Sequence, residues 1–251
     1  MIVALLALAV LAWRFTDLKM VGMDAGPWTD PGAFGFYITT WVVMMAAMMF
    51  PSLAPMAVVL TRLERGRPAP TLTTPLFVIG YLAVWTASSL VAYAVLKAGR
   101  AWTGDLFAWH RAGQALAGAA LFVAAAYEFT PLKTKCLRKC RSPFGFLTNS
   151  WRDGPGGAFS MGVRHGAWCL GCCWALMVAL FALGAMSLTW MAVVAALIAA
   201  EKLLPWRRIA IAAVAAALLA LAAGVAAAPA DVPGLTVPGR MPSAPTMKMM
   251  P

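Results

Sequence analysis

Charge and histidine are what this sequence lacks. Charged residues make up 12% of the chain, and histidine occurs twice, at His110 and His165. A soluble domain carries about 25% charged and about 45–50% apolar residues. The 62% hydrophobic content and mean hydropathy of +0.79 exclude that class. The scarcity of histidine argues against bis-histidine haem ligation by a pair on facing helices. No Walker loop, dinucleotide fingerprint, HExxH or Ser-His-Asp set occurs, which removes the common nucleotide, zinc-protease and hydrolase chemistries. Acidic residues are scarce too, nine against twenty basic ones, for a net charge of +11. Such an excess elsewhere points to nucleic acid. Here the basic residues sit in short segments between apolar runs, where they report orientation in a bilayer, and no nucleic-acid partner is expected.

Long apolar runs are abundant. They occupy 34–60, 74–97, 110–128, 167–186, 187–204 and 207–228, each near the roughly 20 residues needed to span a bilayer as a helix. They are continuously apolar, not alternating, which argues against strands. A seventh run, "MIVALLALAVLAW" at 1–13, is short. It lacks a basic leader and a small-residue cleavage site, so it does not read as a cleaved signal peptide; it spans with help from Phe15 or continues from upstream. The expected fold is an all-α polytopic transmembrane bundle of six or seven helices. Residues 1–33 supply the possible first helix and an outer loop, and residues 34–228 form the bundle. Residues 229–251 form a disordered Met/Pro-rich outer tail.

Basic residues set the orientation. The segments 61–73, 130–166 and 201–208 hold thirteen of the twenty Lys and Arg residues, and the positive-inside rule places them in the cytoplasm. The one long loop is then 130–166, Gly/Pro-rich towards its end in "RDGPGGAF" and carrying Cys136 and Cys140.

All five cysteines fall on that side, where a reducing compartment disfavours structural disulfides. "HGAWCLGCCWALM" at 165–177 gathers three of them with a histidine. At about 100° per residue, His165, Cys169, Cys172 and Cys173 share one helix face. One face therefore carries an imidazole and three sulfurs, a soft-metal or redox arrangement, or else small residues at helix contacts. In "CLRKC", Cys136 and Cys140 have basic neighbours that favour the thiolate form that binds metal. Their C-x₃-C spacing departs from the C-x₂-C of thioredoxin-type sites.

"WVVMMAAMMFPSLAPM" at 41–56 places Met45, Met49 and Met56 on one face with Ser52, and Met48 beside them. Thioether sulfur suits Cu(I), although methionine at helical spacing also fills core gaps. Pro51 and Pro55 free carbonyls that must be satisfied inside the protein. Glu128 and Glu201 end apolar runs on the cytoplasmic side, and each reads as an interfacial acid or half of an ion pair, Glu201 with Lys202. Met241, Met247, Met249 and Met250 stand in the tail, as weak copper donors or merely as a greasy end.

Together "WVVMMAAMMFPSLAPM", "TPLKTKCLRKCRSPFGF", "HGAWCLGCCWALM" and "WMAVVAALIAAEKLLP" resemble a bacterial family of predicted metal-binding integral membrane proteins, some members of which are labelled copper chaperones. The resemblance runs over residues 34 to 206. It implies a bacterial inner-membrane protein. It implies too that the Met stripe at 44–49, Cys136, Cys140, His165, Cys169, Cys172, Cys173 and Glu201 belong to a shared pattern.

The expected function is binding a soft metal, most simply Cu(I), and handling or delivering it, with no catalytic residues. Cys169 and Cys172 or Cys173 would hold the metal, Cys136 and Cys140 would meet it first, and Met45, Met48 and Met49 would form a deeper relay. The bilayer is one partner, and a metallochaperone or membrane complex another. A transmembrane thiol-disulfide oxidoreductase is the rival reading. It needs thiols reachable from the outer side, and the sequence has none. A structural subunit of a membrane complex is the third.

Overall fold

A computed structural model of the chain describes residues 2–20, 32–64, 72–103, 109–184 and 187–235. Nine α-helices make up almost all of the described residues, among which there is no strand: α1 (Ile2–Met20), α2 (Phe34–Glu64), α3 (Thr73–Thr103), α4 (Gln114–Glu128), α5 (Pro131–Arg141), α6 (Pro143–Ser150), α7 (Gly154–Leu183), α8 (Leu188–Leu203) and α9 (Arg207–Ala227). Four of them, α2, α3, α7 and α9, are long and apolar enough to cross a membrane; α4 and α5, bent by 67° at a short break, make a fifth if they are one span. The all-helical bundle is the expected class. The methionines of 241–250 lie outside the described residues.

Three differences from the sequence reading matter for the site. The long loop expected at 130–166 is helical: α5, α6 and the first turns of α7 fill it. Thr130 caps α5 by accepting the Lys133 N–H, with Pro131 in the first turn, where its missing N–H costs nothing. The cysteines at 169–173 consequently lie in the middle of a 30-residue helix, not at its mouth. Residues 229–235, expected to be part of a disordered tail, are ordered against the bundle. Residues 229–231 form a 3₁₀ turn, Val232 is buried, and Trp190 donates to the Gly234 carbonyl at 3.0 Å.

Glycines set the closest helix approach. α3 and α7 run side by side in the same direction, Phe77 meeting Gly162 and Val84 meeting Gly166. A Cβ at Gly162 would stand 2.0 Å from the Phe77 carbonyl oxygen, and one at Gly80 would stand 2.3 Å from that of Phe159. Small residues four apart permit such backbone contact. α4 packs on α9 through Gly118 and Ala222, and the Gln114 amide donates to the carbonyls of Val225 and Ala226 at the end of α9.

The prolines of α2 behave as their chemistry requires. Pro51 brings no N–H to the Ala47 carbonyl. The Trp13 indole N–H donates to that carbonyl at 3.1 Å. One missing hydrogen bond in α2 thus becomes the polar contact that docks α1. Met45 and Met49 are fully buried on α2, and Met44, Met48 and Met56 nearly so.

Candidate metal centre

Cys169, Cys172 and Cys173 form one buried group, their sulfurs all within 4.8 Å of one another. The backbone explains it. Spacings of three and four residues along α7 stack side chains on one face, and Cys173 is turned only one residue from Cys172. Cys172 Sγ lies 3.4 Å from Cys173 Sγ and also approaches the Cys169 carbonyl at 3.1 Å.

Two neighbours complete the surroundings of Cys169. The Tyr81 hydroxyl of α3 stands 3.0 Å from its sulfur, and the Lys202 ammonium of α8 donates to the same sulfur at 3.0 Å. Lys202 also reaches Ser52 Oγ on α2 at 3.4 Å. α3 and α8 therefore converge on one sulfur of α7, and α2 joins them through Lys202.

α5 covers the centre. Cys140, half-buried, places its sulfur 3.8 Å from that of Cys172. Cys136 is buried over Gly171, where a Cβ would come within 2.8 Å of its sulfur. The glycine inside "CLGCC" is the gap that lets α5 close onto α7, and the Tyr127 hydroxyl donates to its carbonyl. The two cysteines of "CLRKC" thus part company. Cys140 adjoins the sulfur group, whereas Cys136 packs into the α5–α7 contact.

His165 lies one turn before Cys169 but stands outside the three-sulfur group. Its ring is packed among Phe146, Phe77 and Tyr81, with centroids 5.1, 5.7 and 6.0 Å away, and Nδ1 has no hydrogen-bond partner. Tyr81 joins the two: its ring lies on His165 and its hydroxyl on Cys169.

Glu201 belongs to a different set. The expected Glu201–Lys202 pair does not form, because neighbouring residues on a helix do not face each other. Glu201 accepts from Lys133 at 2.8 Å, and Lys133 also donates to Glu128; all three are buried. Arg141, at the other end of α5, donates to the Glu201 and Leu204 carbonyls at the C-terminus of α8. Lys133 and Arg141 together hold α5 in register, and that register sets Cys140 beside Cys172. Sequence reasoning passed over Tyr81 and Lys133. Lys133 sits five residues after Glu128, close enough in sequence to have been paired with it; Tyr81 has no local signal.

Met45, Met48 and Met49 lie on α2 behind Ser52, three to seven residues before it and on its face. Ser52 meets Lys202, so the methionine face leads towards the sulfur group through that contact.

A family model described as copper chaperone, PpoB2, matches residues 38–225. The match covers well over half of the chain, and the chain belongs to this family. No curated protein and no solved structure matches it.

Proposed function

We propose that this copper chaperone family member is an integral protein of the bacterial inner membrane that binds one Cu(I) on the sulfurs of Cys169, Cys172 and Cys173 and handles it for delivery. The observation that carries the reading is three buried sulfurs within 4.8 Å of one another, in a chain whose longest helices have the length and apolarity of membrane spans. Soft sulfur donors match Cu(I) better than hard cations. Burial keeps water and oxidants away from the metal.

Charge supports the same reading. Two thiolates on a monovalent ion carry one net negative charge, and a buried charge needs a partner. Lys202 supplies it at Cys169. Met45, Met48 and Met49 are then neutral soft donors further along α2, suited to a relay that adds no charge. His165, an imidazole one turn from Cys169, serves as a packing support for Tyr81 in this reading. By the positive-inside rule the α5–α6 side faces the cytoplasm.

The test is anaerobic copper loading of purified protein, followed by metal analysis and competition for Cu(I). The parent should retain one copper per chain. Replacing Cys169, Cys172 and Cys173 together by Ser keeps size and removes the soft donors. Affinity should fall by more than an order of magnitude. Unchanged affinity in that variant ends the assignment.

A further inference from the structure

We propose that α5 is an interfacial helix whose outward cations, Lys135, Arg138 and Lys139, bind the anionic headgroups of phospholipids at the cytoplasmic surface of the membrane. The proposal rests on the membrane reading above and adds a ligand class and the face that takes it.

Composition keeps α5 out of the hydrocarbon. Five of its eleven residues are Lys or Arg, and a cation at the bilayer centre is costly. Geometry agrees. α4 and α5 meet at a bend of 67°. In a bundle whose spans stand near the bilayer normal, α5 therefore runs closer to the membrane plane than to that normal.

The helix has two unlike faces. Lys133, Cys136 and Leu137 are buried, and Cys140 on the same side lies 3.8 Å from Cys172. Lys135 and Arg138 are exposed on the opposite side, with Lys139 half-buried at its edge; spacings of three and four residues group them. The other two cations of α5 have partners, Lys133 between Glu128 and Glu201 and Arg141 at the end of α8. No acidic residue occurs in α5 or α6. Among the described residues no carboxylate pairs with Lys135, Arg138 or Lys139. Three outward cations thus lack an anion from the protein itself.

The surroundings say which anion. Phe129 just before the helix, Leu132 in its first turn and Phe144 just after it are each more than half exposed. The α8–α9 corner, which Arg141 ties to α5, exposes Leu204 and Trp206 as well. Such a collar of large apolar side chains is unfavourable in water and marks a surface that enters a membrane. Aromatic residues gather at the level of the headgroups. The collar sets the edge of the hydrocarbon at α5, and cations standing at that edge meet lipid phosphate before any soluble partner. Clusters of Lys and Arg beside membrane spans attract anionic lipids, each cation adding to the affinity. Because the inner face of α5 covers the sulfur centre, the lipid would be a partner of that cover.

Lipid competition on the full chain, purified in detergent, tests this. Native mass spectrometry of protein equilibrated with equal amounts of phosphatidylglycerol and phosphatidylcholine counts the lipids retained. The parent should prefer phosphatidylglycerol by about tenfold or more, and the preference should fall as salt is added. Lys135→Gln, Arg138→Gln and Lys139→Gln combined should abolish most of it. Melting in phosphatidylcholine should not change, because these side chains have no inward polar partner. The single replacements, milder to the fold, should each remove part of the preference. Equal retention of the two lipids by the parent, or a preference indifferent to salt, overturns the proposal whatever the variants do. A preference that survives the replacements places the headgroups elsewhere and overturns it equally. Polyglutamate that binds the parent and resists displacement by phosphatidylglycerol assigns the face to an acidic protein instead. A chain that stays monodisperse in buffer without detergent overturns the membrane reading, and this inference with it.

Discussion

Two polar islands lie in one apolar core, and they are built on opposite terms. At Glu128–Lys133–Glu201 every member is ionisable, and the lysine has both carboxyl groups within hydrogen-bonding distance. At Cys169–Cys172–Cys173 the sulfurs have mainly each other, with one ammonium and one hydroxyl on Cys169. The charged island ties α4, α5 and α8 together and leaves no place for a ligand on Lys133. The sulfur island has donors in excess of partners. Stability is the business of the first, and in the reading above the second is built to receive something.

Removing the lysine should break that contrast most violently. Lys133→Met leaves two buried carboxylates without their cation, at a cost of about 3–5 kcal/mol, read as a large drop in detergent thermal stability. Adding Glu128→Gln and Glu201→Gln should recover most of it, because no buried charge then stands unpaired. The triple Ser variant of the sulfur island should melt far closer to the parent. If instead the cysteine variant is the fragile one, the division of labour is wrong.

Gly162→Ala comes next. Its Cβ would meet the Phe77 carbonyl at 2.0 Å, so α3 must move off α7, at about 1–3 kcal/mol. Tyr81 moves with α3. Cu(I) affinity should therefore fall although no sulfur has been touched, and a parallel loss of stability and affinity is the expected signature. Stability that falls with affinity intact would free Tyr81 from any part in the centre.

The smallest effect sharpens the comparison at its edge. Met45, Met48 and Met49 replaced together by Leu keep volume, so each should cost less than about 1.5 kcal/mol, while the thioether sulfurs disappear. Copper-dependent growth should suffer with expression held. The corresponding Ala series opens cavities and should damage the fold instead. Leu variants that handle copper like the parent make the stripe core filler.

The sulfur island was readable in the sequence because its geometry is local. Three cysteines within five residues on one helix meet whatever the rest of the chain does. The long apolar helices were readable for the same reason, as continuous apolar runs, although the runs at 110–128 and 187–204 give helices of only 15 and 16 residues, shorter than the spans expected there. The region 130–166 was misread as loop because its prolines and glycines look like turns. In fact Thr130 with Pro131 is a helix-start signal, a capping oxygen followed by a residue that needs no donor. Gly162 and Gly166 likewise carried a close-packing message, four residues apart. The partners of the island were harder. Tyr81 lies 88 residues from Cys169 and Lys202 lies 33 away. The adjacency of Glu201 and Lys202 misled, since consecutive helical side chains diverge by about 100°. Only the packing of α3, α5 and α8 on α7 decides which cation faces sulfur and which faces carboxylate.

X-ray absorption at the copper edge, on anaerobically loaded protein, tests the central claim most directly. The account predicts monovalent copper, one per chain, in a shell of sulfur alone that is lost when Cys169, Cys172 and Cys173 become Ser. A shell of nitrogen or oxygen, or a sulfur shell that survives that replacement, would contradict it.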